Sequence, residues 1–320
     1  MKLKMMYSFL NNDLQIIENE LEATIQTERA LLQEASLHLL QAGGKRIRPV
    51  FVLLAAKLGA YDIHKVKNVA VALELMHMAS LVHDDVIDDA ELRRGKETIK
   101  AKWDNRIAMY TGDYIFARSL EMMTRVEDIE AHRILSNTLV ELCKGEIEQI
   151  RDKYNYDQNL RTYLRRIKRK TAILIAVSCQ LGAITSGVPA SVHQSLYWFG
   201  YYVGMSFQIT DDILDFTSTE EQLGKPAGSD LLQGNITLPV LYAMESPVLN
   251  DKIRTIDDHS GSEEIKEIID LIKRSDAIDR SFALSDRYLE RAFKELEKLP
   301  NGLAKRTFNN VAKYIGKRKY

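Results

Sequence analysis

The chain has 320 residues, a length that corresponds to about two domains of average size or one large one. Its 44 Lys and Arg residues balance 45 Asp and Glu residues and leave a net charge of −1, which argues against a general nucleic-acid-binding protein. Hydrophobic residues make up 45% of the chain and charged residues 28%, so the composition is that of a globular protein and excludes a disordered one.

The N-terminus begins Met-Lys-Leu-Lys-Met-Met and soon becomes polar, so it lacks the apolar core of a signal peptide. The longest apolar runs, Val50–Ala56 and Ala172–Cys179, are too short to span a bilayer. The two cysteines, Cys143 and Cys179, stand in apolar stretches of sequence and cannot form a disulfide framework. We therefore expect a cytoplasmic protein with at most peripheral membrane association.

Prolines are scarce, and none of the six lies between Pro49 and Pro189. Because proline is excluded from helix interiors, so long a proline-free stretch predicts helices joined by short turns. Apolar residues recur at helical spacing over Leu10–Ile25 and again over Phe282–Leu296. Alternating strand patterns with hairpin turns and internal repeats are absent from the sequence. These features predict an all-α protein, with residues 1–320 forming a single domain of about ten helices.

A glycine turn followed by three cations precedes the first strongly apolar helix, in the segment Gly43–Pro49. It is not a P-loop, because Leu39 stands where that motif has its first glycine and Arg46 stands where it has Ser or Thr. Such a turn can still hold a phosphate at a helix start, although most segments of this kind are simply basic turns.

An acidic motif, His83–Asp89, ends the apolar helix predicted at Val69–Val82. Positions four apart share one face of a helix, so Asp84 and Asp88 should project together, with Asp85 beside them. Like charges at this spacing destabilise a helix, and a hard divalent cation such as Mg²⁺ would compensate. A solvated acidic helix end is the alternative, with equal weight for this motif alone.

Several basic residues are placed where an anion would need them. Arg93-Arg94 follows the acidic motif closely and would either neutralise the aspartates or bind a diphosphate. His77 lies two turns before Asp84 and is a candidate phosphate contact, although a core histidine is the more frequent case. The densest basic run, Arg161–Lys170, reads as a solvated helix face whose last lysine enters an apolar stretch.

A second acidic motif, Gln208–Asp215, repeats the Asp-Asp-x-x-Asp spacing after another apolar helical stretch. If the two motif helices face each other, their carboxylates would hold several metal ions around one diphosphate, since bundles build metal sites from facing helices. A long irregular segment, Thr217–Asn235, follows, and Lys225 within it would close over a bound phosphate.

The ordered set of motifs resembles the signature of the trans-polyprenyl diphosphate synthases over nearly the whole chain. The matching segments are Gly44–Pro49, Asp84–Asp88, Arg93-Arg94, Lys170-Thr171 and Gln208–Asp215 with Gly224-Lys225-Pro226. One departure is Glu97, where a proline is common, and it affects a turn rather than a proposed ligand. The resemblance implies a helical bundle of the isoprenoid synthase type around a central cavity.

The resemblance also implies a role for each motif residue. Metal binding would fall to Asp84, Asp88, Asp211 and Asp215, supported by Asp85 and Asp212, with three Mg²⁺ ions when a diphosphate is bound. The diphosphate of isopentenyl diphosphate would be held by Lys45, Arg48, His77 and Arg94. The allylic diphosphate would be held by Arg93, Lys170, Thr171, Gln208 and Lys225. In the implied head-to-tail condensation the allylic C–O bond ionises, the isopentenyl double bond attacks, and the released diphosphate takes the proton.

The sequence also gives expectations for product length and for partner chains. Small residues below Asp84, Ala79 and Ser80, would leave room for a growing prenyl tail, with the floor deeper, near Met76 or Leu73 or on a facing helix. The segments Tyr7–Leu10, Ala79–Val82 and Tyr314–Arg318 are similar to the catalytic subunit of a two-component member of the family. That similarity implies farnesyl diphosphate as primer, a heptaprenyl product for the menaquinone side chain, and a heterodimer with a smaller non-catalytic subunit.

Alternatives remain open at this point. Within the family they are a hexaprenyl, octaprenyl or geranylgeranyl product and a homodimer. From other classes they are a class I terpene cyclase and a non-catalytic helical subunit. The paired Asp-Asp-x-x-Asp motifs and the basic set Lys45, Arg48 and Arg94 argue against a cyclase, which has no second diphosphate substrate to bind.

Overall fold

The computed structural model describes residues 3–219, 227–257, 259–260 and 262–316, and most of them are helical. The helices of this part of the chain are α1 (Leu3–Met6), α2 (Asn11–Thr24), α3 (Ala30–Gln41), α4 (Ile47–Ala56), α5 (Ile63–Ile87), α6 (Ile99–Lys102), α7 (Asn105–Met123), α8 (Ile129–Arg151), α9 (Leu160–Ile167), α10 (Ile173–Thr185), α11 (Ala190–Thr217), α12 (Ser229–Leu232), α13 (Leu238–Ala243), α14 (Pro247–Ile253), α15 (Ser262–Arg274), α16 (Ala277–Glu297) and α17 (Leu303–Gly316). A 3₁₀ turn at Ser8–Leu10 and a π-helical segment at Lys168–Ala172 complete the helical elements. The prediction of an all-α protein is confirmed, with more helices than about ten because short ones occupy several connections.

The described residues form two compact units. The first contains residues up to Leu135 together with Val177–Tyr197 and Lys298–Phe308, and the second contains Ser136–Ala176, Trp198–Glu297 and the residues from Asn309 onward. A single domain over the whole chain stays a prediction. No helix in the described ranges is long and apolar enough to cross a membrane.

The first unit is built around α5, which packs against α2, α4 and α7. Asp62 caps its N-terminus, since the Asp62 carboxylate accepts a hydrogen bond of 2.9 Å from the His64 backbone N–H. Apolar residues cover most of its circumference, as expected of a helix buried on nearly all sides. Gly112 of α7 allows close packing, because a Cβ there would lie 2.3 Å from Nε2 of His83 on α5.

A short β-hairpin follows α5, in which β1 (Leu92–Arg93) pairs antiparallel with β2 (Lys96–Glu97). The turn residues Arg94 and Gly95 both have positive φ, 56° and 76°, as a two-residue type I′ hairpin requires. Strands of two residues are too short to produce a period-two pattern, so the hairpin has no signal in the sequence.

The second unit has its core around the C-terminal part of α11. One apolar cluster joins Phe216 to α13 and α15, and another surrounds Tyr163 of α9. Of the cysteines, Cys179 is buried but Cys143 is exposed on α8. The expectation of apolar surroundings is therefore wrong for Cys143, because the neighbouring apolar residues of α8, Val140 and Ile147, are themselves exposed.

Candidate active site

The first acidic motif forms the C-terminal end of α5. Asp84 lies in the last turn, and Asp88 is the C-cap residue, whose backbone N–H donates to the Asp84 carbonyl oxygen at 2.8 Å. Asp84 and Asp85 are buried, while Asp88 is half-buried. Carboxylates at a helix C-terminus face the negative end of the helix dipole, so this acidic helix end (Asp84, Asp85 and Asp88) favours a bound cation.

The donor set fits Mg²⁺, because carboxylate oxygens are the hard ligands that this ion prefers. Within the described ranges no group of three or more His, Cys, Asp or Glu residues is arranged to hold a metal on its own. Mg²⁺ is usually bound by one or two carboxylates together with water and substrate phosphates.

The carboxylate of Asp85 pairs with Arg93 of the hairpin. Its Oδ1 accepts from Nη2 of Arg93 at 2.6 Å and from Nε at 2.8 Å. Burial raises the pKa of Asp85, and the paired Arg93 guanidinium opposes that shift. Asp85 and Arg93 therefore lock the hairpin onto the acidic helix end, which suits the supporting role expected of Asp85.

A basic cluster, defined by Lys45, Arg48, His77 and Arg94, belongs to the same unit. The Nε atom of Arg48 is buried and has no hydrogen-bond partner. Burial lowers the pKa of Arg48 to about 10, with Glu74 opposing and Arg94 reinforcing the shift, so Arg48 is charged at neutral pH. A buried charged donor without a partner carries an unmet desolvation cost, which an anionic ligand would relieve.

The remaining members differ in charge. Arg94 stands in the hairpin turn, and burial lowers its pKa. The pKa of His77 lies well below its ordinary value, first because of burial and then because of the positive charges of Arg48 and Arg94. His77 is therefore neutral at pH 7 and offers a hydrogen bond rather than a charge. Lys45 is exposed, and its carbonyl oxygen accepts from the Tyr7 hydroxyl at 3.3 Å.

Two residues that organise the basic cluster were missed in the sequence. Arg46, at the left-handed φ of 47°, pairs with Glu18 and donates from Nη1 to Oε1 of Glu74 at 3.2 Å. Glu74 is buried on α5, and its Oε2 has no hydrogen-bond partner. Strained backbone at two arginines, Arg46 and Arg94, indicates a preorganised site. A glutamate within the apolar stretch Val69–Val82 was the sequence signal available for Glu74.

In the second unit, the π-helical segment Lys168–Ala172 carries the Lys170-Thr171 pair. Such segments occur frequently at functional sites. Lys170 Nζ donates to Oε1 of Gln149 at 2.9 Å, and Thr171 Oγ1 donates to Oε1 of Gln208 at 2.6 Å. The segment therefore brings the two residues of the Lys-Thr motif into contact with polar side chains on α8 and α11.

The second acidic motif occupies the last three turns of α11. Both oxygens of buried Asp212 accept hydrogen bonds, Oδ2 from the Tyr163 hydroxyl at 2.6 Å and Oδ1 from Gln208 Nε2 at 2.8 Å. Burial and the negative charge of Asp230 raise the pKa of Asp212 to about 7, while Tyr163 and Gln208 oppose the shift. Asp212 is thus occupied inside the protein, in keeping with a supporting role.

Asp215 is also buried, and α12 is held against it. Its Oδ1 accepts from Ser229 Oγ at 3.1 Å and its Oδ2 from the Asp230 backbone N–H at 3.2 Å. Asp211 is half-buried. Asp230 is a further carboxylate beside this motif that sequence reasoning missed, because it belongs to the irregular segment rather than to the repeated Asp pattern.

Some predicted residues lie elsewhere. Lys225 is outside the described residues, as is the basic C-terminal tail. Met76 and Ala79 are fully buried in α5, whereas Ser80 is half-buried and its hydroxyl donates to the His77 carbonyl oxygen at 2.9 Å. The metal, substrate and chain-length roles of all these residues stay predictions.

Comparison with known proteins gives a consistent result. Residues 29–272 match the sequence profile of the family described as Polyprenyl synthetase. The chain is 68% identical to "Heptaprenyl diphosphate synthase component 2" of Bacillus subtilis, over all of this chain and 92% of that protein.

Two solved structures agree with the sequence match. The heptaprenyl diphosphate synthase of Staphylococcus aureus superposes with a TM-score of 0.94 at 46% identity, covering 97% of this chain and 99% of that one. A polyprenyl synthase of Caulobacter crescentus, solved with calcium and isoprenyl diphosphate, superposes with a TM-score of 0.94 at 30% identity. It covers all of this chain and 98% of that one.

Proposed function

This chain belongs to the polyprenyl synthetase family, and from that premise we propose that it elongates farnesyl diphosphate with isopentenyl diphosphate, in a Mg²⁺-dependent reaction, to heptaprenyl diphosphate. Its relatives make it a trans-prenyltransferase that forms a long-chain polyprenyl diphosphate. The primer, the metal and the number of isoprene units are the proposal.

One observation carries the proposal: the buried Nε of Arg48 has no partner in a cluster that also holds Arg94 and neutral His77. Burial and the charge of Arg94 lower the pKa of Arg48 while Glu74 raises it, and a further anion bound here would relieve the repulsion between the two guanidinium groups. A diphosphate supplies several acceptor oxygens and matches the planar donors of arginine. The basic cluster would hold the diphosphate of isopentenyl diphosphate, with Lys45 as its exposed member.

The acidic residues would act on the allylic diphosphate. Asp84 and Asp88, together with Asp211 and Asp215, would hold Mg²⁺, which when bound neutralises charge on the departing diphosphate. Arg93, Lys170, Thr171 and Gln208 would bind the oxygens of the allylic diphosphate, and Lys225 would join them. Cations placed where negative charge develops lower the barrier to C–O cleavage. The released diphosphate would then take the proton, so the reaction requires no side-chain base.

A class I terpene cyclase is the second candidate, since it uses the same ionisation. The basic cluster speaks against it, because a cyclase has one diphosphate substrate and no use for a second anion site. A non-catalytic helical subunit is disfavoured by the number of carboxylates gathered in the two acidic motifs, since burying charge is costly.

The name of one relative supports a partner chain. The Bacillus subtilis protein is named as a second component, which supports a heterodimer with a smaller, non-catalytic chain, and a homodimer is the alternative outcome. A role in menaquinone side-chain synthesis and a cytoplasmic location complete the proposal.

The test is incorporation of labelled isopentenyl diphosphate by the purified chain with Mg²⁺ and farnesyl diphosphate, with and without host-cell lysate. We expect a heptaprenyl product that disappears when Mg²⁺ is chelated. Dependence on lysate would indicate the partner chain. Cyclic hydrocarbon products, or no incorporation in either mixture, would contradict the proposal.

Product length provides a separate prediction. Ser80→Phe should shorten the main product by one or more isoprene units, because a phenyl ring one turn below Asp84 would block the growing tail. Ala79→Phe should act in the same direction with a loss of stability of about 1–3 kcal/mol, since Ala79 is fully buried. Chromatography of the dephosphorylated products measures the effect.

Lys65→Phe is the matched control, since it adds the same ring to an exposed position in the first turn of the same helix. Its products should equal those of the wild type. Unchanged product length in both the Ser80 and Ala79 variants would refute the tail path along α5.

A further inference from the structure

Tyr163 is a buried residue to which neither the motifs nor the proposed reaction assigns a role. It lies on α9, is fully buried, and packs in an apolar cluster with Ile167, Met205 and Ile209. Within this apolar environment its hydroxyl donates to Oδ2 of Asp212 at 2.6 Å. A hydrogen bond to a carboxylate in a buried setting is among the stronger ones that proteins form.

The hydrogen bond between Tyr163 and Asp212 is the first of a series that connects four side chains. The other oxygen of Asp212, Oδ1, accepts from Gln208 Nε2 at 2.8 Å, and Gln208 Oε1 accepts from Thr171 Oγ1 at 2.6 Å. Since the amide nitrogen must face the carboxylate, the amide oxygen must face the threonine. When Asp212 is ionised, above its pKa of about 7, it can only accept, and it then fixes the direction of every hydrogen bond in this series.

The order of these hydrogen bonds determines how the Thr171 hydroxyl is placed. Because the Thr171 hydroxyl donates to Gln208, its position and direction depend on the orientation of the amide. An Asp212 carboxylate free to rotate would let the amide turn over, and the Thr171 hydroxyl would lose its acceptor. The side chain that restrains the carboxylate from the interior is Tyr163.

We propose that Tyr163 is a positioning residue, whose hydroxyl fixes the Asp212 carboxylate so that Gln208 and Thr171 present one arrangement to the allylic diphosphate. The inference rests on the proposed function, because it takes Thr171 and Gln208 as contacts of that substrate. Tyr163 itself does not touch substrate. It acts through Asp212, and the effect of losing its hydroxyl should appear in allylic binding.

The test compares Tyr163→Phe with Tyr288→Phe. Tyr288 belongs to the same apolar cluster, and its hydroxyl makes no hydrogen bond within the described ranges. Both substitutions remove one hydroxyl and keep the ring, so packing is retained. The measurements are the KM values for both substrates, kcat, the melting temperature, and the Kd of a non-ionising thio-analogue of farnesyl diphosphate with Mg²⁺.

For Tyr163→Phe we expect the allylic KM and the analogue Kd to rise by about tenfold, as for loss of a hydrogen bond to a charged group. The isopentenyl KM should stay unchanged and kcat should stay within about twofold, since uniform binding is what is lost. Tyr288→Phe should match the wild type in all of these values. In a protein that already carries Gln208→Met, the further change Tyr163→Phe should alter the allylic KM and the analogue Kd little, because the series of hydrogen bonds is already broken.

Other outcomes overturn the inference. Equal behaviour of the two tyrosine variants would mean that Tyr163 only packs, and an equal rise in both KM values would mean a general disturbance of the site. Full additivity with Gln208→Met would show that the two side chains act separately. The binding measurement separates this inference from the proposed function.

If the wild type binds the analogue in a Tyr163-dependent manner without forming prenyl product, the proposed function fails while the positioning role stands. If the wild type does not bind the analogue, both fail.

Discussion

Asp84→Asn is expected to lower the rate of isopentenyl incorporation by about a thousandfold, or about 4 kcal/mol of barrier at 1.36 kcal/mol per tenfold. Asparagine keeps the size and the buried position of the side chain but removes the negative charge. Asp84 is buried where the dipole of α5 is unfavourable for an anion, so a bound cation would stabilise its charge. Steady-state incorporation at saturating Mg²⁺ measures the effect.

Asp89→Asn is the control for this experiment. Asp89 lies at the same end of α5, but its side chain is 87% exposed and pairs with Lys100. Its φ of 53° is one that asparagine adopts readily. This variant should retain nearly full activity. If Asp84→Asn also retains more than about a tenth of the wild-type rate, the acidic helix end is a solvated terminus rather than a metal site.

Asp211→Asn extends the same test to the second motif. If Asp84 and Asp211 serve one chemical step, the double variant should be little worse than the poorer single variant, as is found for residues that act as a unit. If the rate of the double variant is lowered by the product of the two single fold losses, the motifs act in separate steps.

Arg48→Met is expected to raise the KM for isopentenyl diphosphate by about a hundredfold while leaving the free energy of unfolding of the unliganded protein unchanged or increased. Both effects have the same cause. The buried guanidinium lacks a partner at Nε, so in the unliganded protein its removal ends a desolvation cost, whereas in the complex it removes a charged donor to the diphosphate. Steady-state kinetics and urea unfolding of the same preparations measure the two quantities.

Arg46→Met is the matched comparison, because it removes a neighbouring arginine of the same turn. Arg46 is paired with Glu18 and Glu74, and its loss breaks the direct ion pair of the buried Glu74 carboxylate, which should cost about 3 kcal/mol of stability. Arg48→Met would contradict the assignment if it destabilised the protein as much as Arg46→Met, or if the isopentenyl KM did not change.

The features that could be predicted from the sequence are those set by local spacing. The helix that ends at the first acidic motif and the helix that carries Asp211 and Asp215 follow from long apolar stretches and from carboxylates four positions apart. The basic turn at Arg48 follows from composition. These patterns lie within one element, where neighbouring residues in the chain are also neighbours in space.

The features that the sequence did not predict depend on distant pairings. Arg46 pairs with Glu74, which lies 28 positions away in the sequence, and Tyr163 donates a hydrogen bond to Asp212, which lies 49 positions away. No local pattern distinguishes these residues from an ordinary surface arginine or a core tyrosine. The hairpin at Arg94 is too short to give a periodic signal, and Asp230 stands outside the repeated motif. Their meaning depends on which elements pack together.

The π-helical segment Lys168–Ala172 has a consequence for engineering this enzyme. It holds one more residue than an α-helical turn needs, and π turns are less favourable than the α-helix on either side. A one-residue deletion there would let α9 and α10 form one regular helix, and it would remove the local bulge that presents Lys170 and Thr171. Laboratory selection for heat resistance alone should therefore favour such deletions and yield robust but inactive proteins, so survivors need to be screened for catalysis as well as for melting temperature.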